Sequence, residues 1–459
     1  MPVTINAGAR LDRLPISSFH RRIMWLIGIG MFFDGFDIYV AATVLGAMLK
    51  SGFSTMGQNA QFVSVTFIGM MLGSFLTGFL GDRYGRRFTY QANLAIFGLA
   101  SLAAAFAPSI GVLILLRFIM GVGLGAENVV GYSTMTEFIP PRVRGKWLGG
   151  MSVFVVSGLP ITALLGTLVI PRFGWRIMFV LGGLGAMVVW YLRKALPESP
   201  RWLESIGRTN EADAILRGIE NEVVLQHGAL PSPASAPPAN PSRSLASLLS
   251  PLLLPRMIVG AVTLIVVNTL IFGFVTWLPA FFVQGGRSIA TSFGYSLVMS
   301  IGAPIGSAIG AFTSDFWGRK PTIIGASLVT ILIGSFYPFI KDPVVLLIVG
   351  FLLMIPIYVL VTLLFAIYIP ELFPTEVRLR ASGICNTFGR GATILTPFLV
   401  VALFRSYGIG GVLCLMIGLL TVQIFVVHFW GVEPKNRRLE EIDTGVTVSP
   451  TAAARNVTE

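Results

Sequence analysis

The feature that most constrains this chain is a recurrence of apolar runs, each roughly 20 residues long. About twelve such runs can be counted by that length test, centred near Met31, Met71, Ala100, Met120, Ser157, Gly185, Val267, Ile301, Ile331, Met354, Ile394 and Gly418. In hydrocarbon every backbone N–H and C=O must be satisfied within the segment, so runs of this length are read as membrane-spanning helices. The composition agrees: 54% of residues are hydrophobic and only 12% are charged, with a mean hydropathy of +0.80. Soluble domains carry about 25% charge, so a chain with half that cannot cover a globular surface with ions. The first run is about 27 residues long, too long for a signal-peptide core, and no small-residue cleavage site follows it, so it is expected to be a retained helix.

The net charge of +12 would otherwise raise nucleic acid as a partner. Its distribution argues for topology instead. Arg10, Arg13, Arg21 and Arg22 precede the first run, Arg83, Arg86 and Arg87 follow the second, and Arg142, Arg144 and Lys146 follow the fourth. The stretch after the sixth run is also basic, as are Arg319 with Lys320, Arg378 with Arg380, and the tail. The alternate loops hold only Lys50, Arg172, Arg176, Arg287, Lys341 and Arg405. The bias predicts that both termini are cytoplasmic. Cys385 and Cys414 lie in apolar runs and are expected to be buried thiols without a disulfide; His20, His227 and His428 are scattered, and neither a metal site nor a cofactor site is expected.

A hydrophilic stretch divides the chain between the sixth and seventh runs. Its first part, SPRWLESIGRTNEADAILRGIENEVV, has helical spacing; GALPSPASAPPANPSRS reads as a flexible linker. The expected organisation is a cytoplasmic segment 1–22, a six-helix bundle 23–196, a central cytoplasmic loop 197–254, a second six-helix bundle 255–432 and a cytoplasmic tail 433–459. The halves repeat. Asp82, Gly85 and Arg86 align with Asp315, Gly318 and Arg319 at an offset of 233, and Glu137, Pro140, Val143 and Arg144 align with Glu371, Pro374, Val377 and Arg378 at 234. The fold class expected is an all-α membrane protein with twelve transmembrane helices in two pseudo-symmetric six-helix bundles, the architecture of a secondary transporter with its site near the midplane.

These motifs resemble the major facilitator superfamily over nearly the whole length. GFLGDRYGRR (78–87) is similar to the family's loop between helices two and three, Arg117-FIM-Gly121-V-Gly123-L-Gly125 to its fourth-helix motif, and PESPRWL (197–203) to the signature after helix six in sugar porters and related metabolite:proton symporters. DGFD (34–37) resembles the aromatic acid:proton symporter group, with nicotinate-transporter-like and sialic-acid-transporter-like proteins nearby. One departure is that Ala311 stands where the first copy has Gly78, which is expected to loosen packing in the second half. The resemblance implies a monomer that binds protons and a small molecule within the lipid bilayer, in a plasma membrane of bacterial inner-membrane type. It does not imply an enzyme.

DGFD places two carboxylates inside an apolar helix, where an aspartate at the membrane centre costs about 2.5–3.5 kcal/mol on insertion scales. Asp34 and Asp37 are three apart and share a helix face. Asp37 lies roughly 21 Å from the inner end of its helix, and Arg117, entering from the opposite side, lies roughly 20 Å from the inner side. Glu127 falls lower. Intramembrane charges of this kind mark ion pathways, so Asp34, Asp37, Arg117 and Glu127 are the proton-coupling candidates, against a purely structural Asp–Arg pair. Arg390, about 15 Å deep, is read either as a buried counter-charge or as the group that binds a substrate carboxylate bidentately. Tyr39, Asn128, Tyr132, Asn268, Trp277, Tyr358 and Asn386 are weaker cavity candidates.

The loop residues Asp82, Arg86, Arg87, Glu137, Arg144, Asp315, Arg319, Glu371 and Arg378 are read as gating residues. The two aspartates are expected to cap helix N-termini and pair with nearby arginines. GVGLGA (121–126) mimics a dinucleotide loop, but it lies in an apolar run without a preceding strand, so helix packing is expected. The Asn456 sequon lies in the tail expected to be cytoplasmic, and no P-loop is present to drive an ATP-dependent pump. The leading expectation is proton-driven uptake of a small organic acid by alternating access. Sugar or polyol:proton symport is the alternative. Drug efflux by antiport ranks below both, because VVSGLPITALLG does not match the antiporter motif of helix five.

Overall fold

The computed structural model describes residues 5–233, 248–275, 295 and 297–434. Trp277 and most of the Pro/Ser/Ala-rich stretch lie outside these residues. Among the described residues the regular structure is helical throughout. A short helix α1 (Ala7–Asp12) precedes α2 (Ser18–Lys50), α3 (Met56–Tyr84), α4 (Arg86–Ala105), α5 (Ile110–Phe138), α6 (Arg144–Phe173) and α7 (Arg176–Leu192). Two polar helices follow, α8 (Pro200–Ser205) and α9 (Thr209–His227). Then come α10 (Leu254–Gly273), α11 (Gly302–Trp317), α12 (Arg319–Phe336) and α13 (Pro343–Val361), which continues through a π-helical turn (Thr362–Tyr368) into α14 (Ile369–Glu371). The last helical tract, α15 (Arg378–Trp430), breaks at Gly408, whose φ of 64° is non-helical.

Eleven helices are long and apolar enough to cross a membrane, and the bent pair Arg378–Thr396 and Phe398–Phe404 makes a twelfth if it is one span. Large apolar side chains such as Leu164, Leu168, Phe312 and Phe316 are exposed on the outer faces, as a protein solvated by hydrocarbon requires. Cys385 is buried, but Cys414 is exposed, contrary to the expectation of two buried thiols. It sits on the outward side of a lipid-length helix, where a thiol costs little. The helix that carries the first apolar run starts at Ser18, where the Ser17 N–H donates to His20 Nδ1 at 3.2 Å and closes the first turn.

Helices approach closely where glycine removes the side chain. A Cβ on Gly125 of the GVGLGA stretch would stand 2.0 Å from the Met70 carbonyl oxygen, so that stretch serves α3/α5 packing. A Cβ on Gly35, inside DGFD, would stand 2.0 Å from the Val155 carbonyl oxygen, which fixes α2 against α6. α3 packs on α15 and α6 on α11, and these seams join the first six spans to the last six. Ala311 does not loosen the second seam. It faces Gly149 of α6, where a Cβ would come within 2.3 Å of the Ala311 Cβ, so the partner-helix glycine accommodates the larger residue. Gly85 and Gly318, both at φ 97°, make the tight turns between α3 and α4 and between α11 and α12.

Candidate functional site

Two polar layers lie between the halves. The first is at the end of the bundle that carries α1, α8, α9 and residue 433. Glu137 of α5 accepts from Arg86 at 2.9 Å and, across the seam, from Arg378 at 3.0 Å. Ser199 also donates to Glu137. In the second half Glu371 holds Arg319 at 2.8 Å and faces Arg144 of the first half at 3.9 Å. Asp82 pairs with Arg86 at 3.2 Å and reaches Arg380 across the seam at 2.8 Å. Asp315 pairs with Arg319 and accepts from the backbone N–H groups of Gly145 and Lys146, at 3.1 and 2.7 Å. It therefore caps α6, a helix of the other half.

Two expectations need correction here. Asp82 caps no helix: its oxygens are taken by Arg86 and Arg380. Arg87 does not enter the network between the halves; it is exposed and donates to the Lys194 carbonyl of its own half at 2.9 Å. The N-termini of α4 and α12 are capped instead by Glu198, which accepts from Arg86 N–H at 2.9 Å, and Glu433, which accepts from Arg319 and Lys320 N–H at 3.1 and 2.8 Å. Glu198 and Glu433 form a third repeated pair, Pro197-Glu198 against Val432-Glu433, which the sequence comparison passed over because only the acid is shared. Together these contacts close this end of the molecule.

The second layer lies deeper. Asp37 accepts from Arg117 at 2.5 Å, and Arg117 also donates to Thr66 Oγ1 at 3.2 Å and lies over the Phe62 ring. Asp34, one turn away on α2, is fully buried, and neither of its oxygens has a hydrogen-bond partner. Glu127 pairs with Arg193, which also donates to the Leu26 and Ile27 carbonyls of α2 at 2.9 and 2.8 Å and covers the Tyr90 ring. Arg193 was not a sequence candidate, since its place at the end of a span makes it look like a topology charge. On the opposite half, Arg390 of α15 is buried, donates weakly to Asn268 Oδ1 at 3.4 Å and lies 5.7 Å from the centre of the Phe365 ring, with its Nε unpartnered. Among the described residues no carboxylate forms an ion pair with it.

The weaker candidates gather at the same interface. Asn128 and Tyr132 of α5 and Asn386 of α15 line one small cavity between the halves, together with Ser133, Phe365 and Ser382. Asn268 touches Arg390, and Tyr39 of α2 meets Tyr358 of α13. Ser152 of α6, Thr362 of the π turn and Ser307 of α11 form a hydroxyl chain at 3.0 and 2.7 Å across the second seam. Phe365 is the lining residue least visible in the sequence, because an aromatic in an apolar run carries no mark of its position. A π turn often accompanies a functional site, and here it directs Phe365 toward Arg390.

A profile of the sugar (and other) transporter family matches residues 23–445. The chain belongs to this family. Over 444 residues it is 37% identical to the inner membrane metabolite transport protein YdjE of Escherichia coli, covering 95% of this chain and 98% of that one. Over 439 residues it is 30% identical to the niacin transporter NiaP of Acinetobacter baylyi, covering 95% and 99%. The E. coli proton:xylose symporter XylE superposes with a TM-score of 0.77 at 19% identity, covering 93% of this chain and 98% of XylE, and so shares its fold. The protein is a transporter of the major facilitator superfamily, with the duplicated architecture of a metabolite carrier.

Proposed function

We propose that the protein is a proton-coupled symporter that takes up a small organic acid, aromatic acids included, by alternating access. The observation that carries this reading is Arg390: a buried guanidinium over the ring of Phe365, itself a wall of the interface cavity, with no carboxylate ion pair among the described residues. A buried cation is costly unless paired, and a substrate carboxylate supplies the missing partner bidentately. The niacin transporter relative supports it, because niacin is a pyridine carboxylic acid. The polar candidates beside Arg390 serve to orient the rest of the substrate, Asn128, Tyr132 and Asn386 from the cavity wall and Asn268 through its contact with the guanidinium. The buried acids of α2 and α5 serve proton coupling. The charge network around Glu137 and Glu371 serves as a gate that must break for the site to open at that end, which the Lys/Arg bias assigns to the cytoplasm of a bacterial inner membrane.

Sugar symport is the second reading, favoured by the neutral hydrogen-bonding groups on the cavity wall. Arg390→Gln separates the two. In proteoliposomes the variant is expected to lose binding and uptake of nicotinate, benzoate and gluconate by at least tenfold, the loss of a charge-assisted bidentate contact. Undiminished acid uptake by the variant would remove the organic-acid reading, and xylose uptake by both proteins would support the sugar reading.

A further inference from the structure

The cavity between the halves is lined by two hydroxyl groups that the surrounding helices leave unused. Ser133 of α5 and Ser382 of α15 are 0% and 2% exposed, and neither Oγ has a hydrogen-bond partner. Leaving a buried hydroxyl unpaired is destabilising, and such a group in a native protein calls for an explanation. A serine or threonine inside a helix can return its hydroxyl to the carbonyl four residues back. Neighbours on the same helices do so: Thr136 of α5 donates to the Tyr132 carbonyl at 2.7 Å, and Thr387 and Thr393 of α15 donate to the Gly383 and Gly389 carbonyls at 2.9 and 3.1 Å. Thr77 and Thr134 also have unpartnered buried hydroxyls, but neither lines this cavity. The two serines share one level. Ser133 is four residues before Glu137 and Ser382 four residues after Arg378, and Glu137 and Arg378 bond across the seam at 3.0 Å. Each serine therefore lies one helical turn above that ion pair, one from each half, at the floor of the cavity. Arg390 is two turns farther along α15, about 12 Å by helical rise. A helical side chain leans toward its helix N-terminus, so the Arg390 guanidinium is directed back toward Ser382, over the Phe365 ring that also lines the cavity.

We infer that Ser133 and Ser382 are specificity-determining residues that together hydrogen-bond a hydroxyl group of the substrate, and that the acid carried is a hydroxylated carboxylic acid, with its carboxylate on Arg390 and its hydroxyl end between the two serines. This rests on the organic-acid reading above. A hydroxyl has one donor and two acceptor sites, so a single substrate hydroxyl can engage both serines at once and supply the partner each lacks. The guanidinium of Arg390 holds any carboxylate alike and cannot by itself tell one acid from another. The serines can. A site built to hydrogen-bond a substrate hydroxyl rejects the analogue without it, because its own buried polar groups are then left unpaired. Acetate is too short to reach from Arg390 to the floor, and an unsubstituted acid that does reach it presents only C–H groups to the two hydroxyls. Since one serine comes from each half, the bound hydroxyl also bridges the halves directly above the Glu137–Arg378 pair.

The test uses the purified full chain and two matched pairs of probes, gluconate against hexanoate and 4-hydroxybenzoate against benzoate. In at least one pair the wild type should bind the hydroxylated acid at least tenfold more tightly than its counterpart, as two added hydrogen bonds allow. Ser133→Ala and Ser382→Ala should each cut that preference by about threefold to tenfold, and the double variant should abolish it. Ser382→Thr, which keeps the hydroxyl, should retain most of it. Without ligand, neither alanine variant should unfold at a lower temperature than wild type, because the hydroxyl removed bonds nothing in the protein; a lowered unfolding temperature would show that the serine serves the fold and would overturn the assignment. Equal affinity for the members of both pairs would overturn the inference with no variant needed, and so would an undiminished preference in the double variant. If none of the four acids binds, the organic-acid reading fails and this inference falls with it. If acids bind without regard to the hydroxyl, this inference alone fails.

Discussion

Asp37 and Arg117 show how a single residue pair sets the behaviour of the buried layer. Both are nearly inaccessible and bonded at 2.5 Å. Removing one partner of such a pair leaves an uncompensated charge and costs about 3–5 kcal/mol, whereas replacing both with apolar groups of similar volume is often tolerated. Asp37→Asn is therefore expected to lower the thermal unfolding temperature of the detergent-solubilised protein markedly, and Asp37→Leu combined with Arg117→Met to restore most of it. A single variant as stable as wild type would contradict this. The level of Asp37 and Arg117 was legible from helix geometry, because a rise of about 1.5 Å per residue from opposite faces brings them to the same depth. Their pairing to the exclusion of Asp34 was not. Two aspartates three residues apart look equivalent along a helix, and only the contact of Arg117 with Asp37, at 2.5 Å, tells them apart.

At the scale of elements, α1, α8 and α9 form a polar clasp at the closed end. Glu220 of α9 receives Arg10 at 2.6 Å and Arg13 at 2.6 Å, Asp213 receives Arg10 at 2.7 Å, and Asp12 of α1 holds Arg201 at 2.5 Å. Burial pushes the Glu220 carboxyl up, but the Arg10 and Arg13 guanidiniums outweigh it and hold it below the ordinary range. The hydrogen bond from Arg10 likewise lowers Asp213. Depressed carboxylates contribute their stabilisation above the unfolded-state values, about 4.3 for Glu and 3.9 for Asp, and lose it as pH falls through the lower folded values. Hydrogen exchange in residues 7–12 and 209–227 should accordingly stay slow from neutral pH to about 5 and quicken below about 4. Fast exchange already at neutral pH would show that the clasp does not hold. The helical period of α9 was plain in the sequence. Its docking partner α1 was not, since six residues carry no periodic signal and its contacts come from roughly 200 positions away.

For the whole molecule, duplication accounts for most of what was legible. Two motif pairs at nearly one offset led to two six-span halves, and the described helices and the family match agree with that architecture. The seams between the halves were not legible, because Gly149 receiving Ala311 and Asp315 capping α6 are contacts across the repeat. Those seams carry a prediction of state. Glu137 joins Arg86 to Arg378, so Glu137→Gln should weaken the closed end and shift the population toward opening there. Spin labels at positions 83 and 317, on opposite halves, are expected to move apart in the variant relative to wild type; an unchanged distance distribution would mean that this network does not hold the end shut.

An organic acid and a proton are expected to cross together, with the acid on Arg390. A pH-sensitive dye trapped inside proteoliposomes reports this coupling when nicotinate, benzoate or gluconate is added outside at equal pH. The expected result is internal acidification matched to acid uptake with the wild type, and neither signal with Arg390→Gln. Uptake of the acid without proton entry, or equal acidification by the variant, would contradict it.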